Sequence, residues 1–79
     1  MERRVDVAVD VHFDIDGKML PSAMTWEDGR VFMIERVLDV RQAASLKAGG
    51  QGIRYLCRIL NKQIYLWFEN PKWFTVAKD

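Results

Sequence analysis

The chain has 79 residues, room for a single domain spanning 1–79, and a domain of that size buries only about 60% of the surface its unfolded chain exposes. Hydrophobic residues make up 49% of it, which argues for a folded core and against disorder. A formal net charge of +1 excludes a general electrostatic attraction to nucleic acid or anionic membrane, so any basic site must be local. The single cysteine, Cys57, leaves no intrachain disulfide, no signal-peptide pattern opens the sequence, and no apolar run approaches the roughly 20 residues that span a bilayer; the expectation is a soluble protein of the reducing cytoplasm.

Val5, Val7, Val9, Val11 and Phe13 alternate with Asp6, Ala8, Asp10 and His12, a period of two that predicts a strand with the apolar set facing the core. Asp16-Gly17 supplies a turn, and Pro21, with no N–H to donate, predicts an extended loop over 14–21 in place of a central strand. From Pro21 to Val40 the sequence reads as a β-hairpin about Glu27-Asp28-Gly29. A two-residue Asp28-Gly29 turn would set Met24 opposite Met33. A three-residue loop with Gly29 left-handed would set Met24 opposite Phe32, and this second register is preferred because it puts Met24, Phe32 and Ile34 on one buried face. Alternation breaks at Glu35-Arg36, which predicts a bulge or bend where the strand passes from one side of a closed sheet to another.

Residues 41–52 contain the only plausible helix formers, Gln42 to Lys47, too few for a stable helix, so one turn or an ordered loop is expected there, with 49–52 a flexible glycine-rich return. Ile53 to Leu60 and Gln63 to Glu69 read as a second hairpin about Asn61-Lys62. That register opposes Cys57 to Leu66 and Tyr55 to Phe68 on a core face, and Arg58 to Tyr65, Leu56 to Trp67 and Arg54 to Glu69 on the other. After a turn at Asn70-Pro71-Lys72, a last strand from Trp73 to Ala77 sets Trp73 beside Phe68 and Phe74 beside Trp67. Five or six short antiparallel strands with almost no helix imply an all-β domain, most economically a small SH3-like barrel, with a two-sheet β-sandwich as the alternative.

Pro21-x-x-Met24-x-Trp26, Gly29-Arg30, Val37-Leu38, Gly50-x-Gly52 and a closing aromatic strand with Trp73 resemble a group of small uncharacterised bacterial domains with a Pro, aromatic, Trp, Gly-Arg, Val-Leu pattern. The likeness covers roughly Phe13 to Val76 and departs from the pattern in one extra residue between Trp26 and Gly29 and in Met24 where an aromatic is usual. It implies a small β-barrel. Because some members accompany DNA-repair polymerase genes, it also implies a nucleic-acid context, but no catalytic residue.

Few residues suggest chemistry. Asp14-x-Asp16-Gly17 resembles the start of a calcium loop but lacks the later ligands, and a turn on a solvated edge strand explains it better. His12, the only histidine, falls between Asp10 and Asp14 on the polar face of its strand, where a surface role outweighs catalysis. Cys57 faces the core with no base to activate it, and Gly49-Gly50-Gln51-Gly52 precedes a strand where a phosphate loop would open a helix. Neither an enzyme nor a bound cofactor or metal is expected.

The patch that invites a function is the outer face of the second hairpin and last strand: Arg54, Leu56, Arg58, Tyr65, Trp67 and Phe74. Leu56, Trp67 and Phe74 are too apolar for comfortable exposure together. Three fates are open: cover by the N-terminal strand or the 41–52 segment, a homodimer or protein-partner interface, or a single-stranded nucleic-acid surface on Arg54, Arg58, Tyr65 and Trp67. The first functional expectation is a non-catalytic interaction module that binds a protein or itself, and the nucleic-acid surface is the alternative.

Overall fold

The computed structural model describes residues 2–44 and 51–78. Its strands are β1 (Glu2–Phe13), β2 (Met19–Thr25), β3 (Val31–Met33), β4 (Arg36–Ala44), β5 (Gln51–Ile59), β6 (Lys62–Glu69) and β7 (Lys72–Lys78). They form a seven-stranded antiparallel sheet in the order β3-β2-β1-β7-β6-β5-β4. β3 and β4 are consecutive in the chain yet stand at opposite ends of that order, with only Ile34 and Glu35 between them. The sheet must therefore curl until its ends meet. Two backbone bonds fix the meeting point: the Ile34 N–H donates to the Ser22 carbonyl of β2 at 3.0 Å, and the Glu35 N–H donates to the Arg58 carbonyl of β5 at 2.8 Å. The outcome is a curled half-barrel in one sheet. The break expected at Glu35-Arg36 is the place where the chain changes sides, and it raises the strand count from the five or six expected to seven.

The first hairpin adopts the three-residue loop. Trp26 N–H donates to the Arg30 carbonyl at 2.8 Å, Gly29 N–H donates to the Trp26 carbonyl at 2.9 Å, Gly29 sits at φ 90°, and Met24 pairs with Phe32. Three other expectations are corrected. β2 already begins at Met19, where a loop was expected to Pro21; Pro21 is tolerated because it lies beside a bulge, between Asp10/Ala23 and Val11/Pro21, and beyond the reach of β3, which pairs only Ala23 to Thr25. Val11 and Phe13 do not join the core but are 38% and 62% exposed, since β7 accompanies β1 only as far as Val7. Gln42-Ala43-Ala44, read as helix formers, continue β4 opposite Ile53, Gly52 and Gln51, cross-strand pairing having overridden weak helix propensity. The rest of that segment, 45–50, lies outside the described residues.

The second hairpin turns one residue earlier than expected, at Leu60-Asn61, both with positive φ (50° and 63°). Ile59 therefore pairs with Lys62, Cys57 with Ile64, Tyr55 with Leu66 and Arg54 with Trp67. A slip of two places keeps every side chain on its expected face and changes only its neighbour. Asn61 suits the second position of such a turn, and its N–H is held by the Glu35 carboxylate at 3.2 Å. Trp67–Phe74 and Phe68–Trp73 pair as expected.

Val5 and Val7 of β1, Met24 of β2, Tyr55, Cys57 and Ile59 of β5, Leu66 of β6 and Trp73 of β7 fill the concave side. Tyr55 and Phe68 pack against the Trp73 ring, with centroids 5.2 and 4.9 Å away. The Tyr55 hydroxyl donates to the Met19 carbonyl at 2.8 Å, tying β5 to β2 across the interior.

Candidate interaction surface

On the convex side, β6 lies between β5 and β7, and the pairings Arg54–Trp67 and Trp67–Phe74 set three side chains in a row. Phe74 and Trp67 stack, centroids 5.9 Å apart and planes within 2°. Arg4 of β1 places its guanidinium 3.9 Å from the Phe74 ring centre, while Arg54 lies 4.7 Å from the Tyr65 ring and 5.9 Å from Trp67. The row Arg4, Phe74, Trp67, Arg54, Tyr65 is a continuous cation–π and stacking ladder across four strands, each contact contributing about 0.5–1 kcal/mol where solvent reaches it.

The ladder sorts the six expected site residues. Phe74 is only 1% exposed, closed in by Trp67 and by Arg4 from the N-terminal strand, so it supports the surface from beneath. Leu56, Trp67 and Arg54 are half-buried, and Arg58 and Tyr65 are exposed. All six share the convex face.

Two further arginines extend this face. Arg36 of β4 stands directly opposite Arg58, and Arg41 directly opposite Arg54, with Asp39 opposite Leu56 between them. Arg41 is held by Asp39 at 2.8 Å and Arg58 reaches the Asn61 side chain at 3.3 Å; among the described residues, Arg36, Arg54 and Arg58 have no carboxylate partner. Opposed like charges on neighbouring strands destabilise a sheet. Arg36 and Arg41 were invisible as site residues in the sequence because their place depends on the β4–β5 register; Arg4 stood just outside the alternating valines.

The remaining candidates resolve into structural roles. The Asp14 carboxylate accepts the N–H groups of Asp16 and Lys18 at 2.9 and 2.8 Å, closing the turn in which Gly17 has φ 82°. His12 is exposed opposite Leu20. Cys57 is fully buried, and burial pushes its thiol up to about 12. Gly52 belongs to β5, where a Cβ would stand 2.5 Å from the Phe68 carbonyl oxygen, so close approach and not flexibility demands glycine. Among the described residues, no helix is long and apolar enough to cross a membrane.

No protein-family model, curated protein or solved structure matches this chain.

Proposed function

We propose that this chain is a non-catalytic interaction module whose convex β4–β5–β6 face binds an acidic, aromatic- or apolar-containing segment of a protein partner. The observation that supports it is the pair of cross-strand arginine oppositions, Arg36–Arg58 and Arg41–Arg54, set about Leu56 and Tyr65. Carboxylates of a partner would relieve the repulsion at Arg36, Arg58 and Arg54, Arg41 being already held by Asp39, and would form charge-assisted bonds with planar donors spaced along two strands. The half-buried Leu56 and the edge of Tyr65 offer the apolar contact beside them. A single-stranded nucleic acid would want free ring faces for its bases. Trp67 has Phe74 against one side and Arg54 towards the other, which favours the protein partner.

The test is amide chemical-shift mapping with two probes, a peptide alternating glutamate with phenylalanine and a thymidine oligonucleotide. The peptide is expected to shift Arg36, Arg54, Leu56, Arg58, Tyr65 and Trp67, and Arg54→Glu with Arg58→Glu is expected to abolish those shifts. Stronger, salt-sensitive shifts with the oligonucleotide would transfer the face to nucleic acid, and no response to either probe would refute the reading.

A further inference from the structure

The two ends of the sheet are unequal. β3 is three residues long, a short edge of the kind that resists further pairing, whereas β4 is nine residues long, holds no proline or lysine, and pairs on one side only among the described residues; its bulge lies at Leu38, and from Asp39 on its pairing with β5 is regular. Leu38 and Val40 on it are 39% and 47% exposed. Its edge borders an open groove of about 650 Å³ whose far wall includes Leu20, Pro21 and Ser22, so no described part of the chain covers it.

We propose that the β4 edge pairs antiparallel with the β4 edge of a second copy about a two-fold axis at Val40, joining two half-barrels into one continuous sheet. Opposed residues in an antiparallel pair share a face, so in a symmetric pairing the registers that keep the convex faces aligned are centred on a residue. Centring on Asp39 sets two aspartates against each other, and centring on Arg41 sets two arginines against each other. Centring on Val40 opposes Asp39 of each copy to Arg41 of the other, while Val40 meets Val40; the bulged Leu38 lies beyond this regular stretch. Within one chain Asp39 and Arg41 already lie 2.8 Å apart on the convex face, with side chains 42% and 67% exposed. The assembled edge then carries four charges of alternating sign at the corners of a square. The charges select the register, and unpaired backbone groups together with Leu38 and Val40 supply the attraction. This assembly draws on the arginine face through Arg41 alone and needs neither Arg36, Arg54 nor Arg58.

Sedimentation velocity on the wild type and two single variants tests it. The wild type is expected to form dimers in a concentration-dependent manner up to roughly 0.5 mM. Asp39→Arg sets Arg against Arg in both symmetry-related pairs, and Arg41→Asp sets Asp against Asp, so each variant alone should associate at least about tenfold more weakly. Mixed in equal amounts, they become complementary at both pairs, and the heterodimer should recover. Circular dichroism melts matching the wild type show that both variants fold. A wild type that stays monomeric throughout overturns the proposal, as do single variants that dimerise like the wild type or a mixture that does not recover. A dimer lost in Trp67→Ala but kept in both charge variants also overturns it, and moves self-association to the convex face.

Discussion

Gly52→Ala tests the β5–β6 register at the point where the two strands come closest to a glycine. The added methyl would stand 2.5 Å from the Phe68 carbonyl oxygen, roughly an ångström inside ordinary contact, and 3.3 Å from its carbonyl carbon. Both obstacles are backbone, so no rotamer change relieves them. The strands would have to part beside the Ile53–Phe68 pair, which anchors that end of the ladder. Overpacking of this kind costs about 1–3 kcal/mol, and replacing glycine returns about 0.4–1 kcal/mol by restricting the unfolded chain. The net loss is about 1–2 kcal/mol, set against a total of roughly 4–12 kcal/mol for 79 residues. At about 4–8 °C per kcal/mol, Tm should fall by about 5–15 °C in a far-ultraviolet circular dichroism melt, with a matching drop in urea midpoint and an unchanged m-value. A Tm equal to or above the wild type would mean that Gly52 does not face Phe68, and the register would be wrong.

Tyr55→Phe removes the hydroxyl that donates to the Met19 carbonyl and should cost about 1–2 kcal/mol in urea unfolding; an unchanged midpoint would mean that the β5–β2 tie contributes nothing. Cys57 should resist a thiol reagent in the native state and react on unfolding, because burial pushes its pKa from 9.0 up to about 12. A raised pKa keeps the proton on in the folded state, so the stability it contributes is complete below pH 9 and is lost as pH rises from 9 towards 12; Cys57→Ala should flatten that limb of the stability profile, and prompt native labelling would refute the burial. The Asp28 carboxyl is held below its ordinary 3.8 first by the Arg30 backbone N–H and only then by the Arg30 side chain. Arg30→Ala should therefore leave Asp28 still below the ordinary value in a carbon-detected titration, and full return to it would show that the guanidinium, not the loop backbone, sets the shift.

Legibility in the sequence followed the physics of each signal. Period-two patterning fixes faces, and the facing of Tyr55, Cys57, Ile59, Leu66 and Trp73 towards the core was readable from it. Gly29 and the apolar match of Met24 with Phe32 specified the first hairpin, because only one loop length satisfied both. In the second hairpin the turn residues were less decisive: Leu60 accepts a left-handed conformation that its type disfavours, so that Asn61 takes the second turn position. A two-place slip conserves faces, which is why the convex residues were grouped correctly while their partners across β5 and β6 were not. Arg36 and Arg41 lay beyond reach because their opposition to Arg58 and Arg54 is a non-local fact, set by the bulge at Leu38 and the crossover at Ile34-Glu35.

The same crossover explains why the surface and the open edge occur together. Joining β3 to β4 through two residues pins the sheet shut at Ser22 and Arg58, and from there β4 runs on with β5 as its one strand neighbour among the described residues. Closing the seam over its full length would bury Val40 and Leu38 but would also bring another strand beside Asp39 and Arg41, whose convex side chains need either water or opposite charge. A strand from β2 offers neither charge in register, since the stretch of it that β1 pairs and β3 leaves open is Met19 to Pro21. A second β4 offers both. In the proposed two-fold register, which would satisfy Asp39 and Arg41, the arginine-bearing face would run on across both copies.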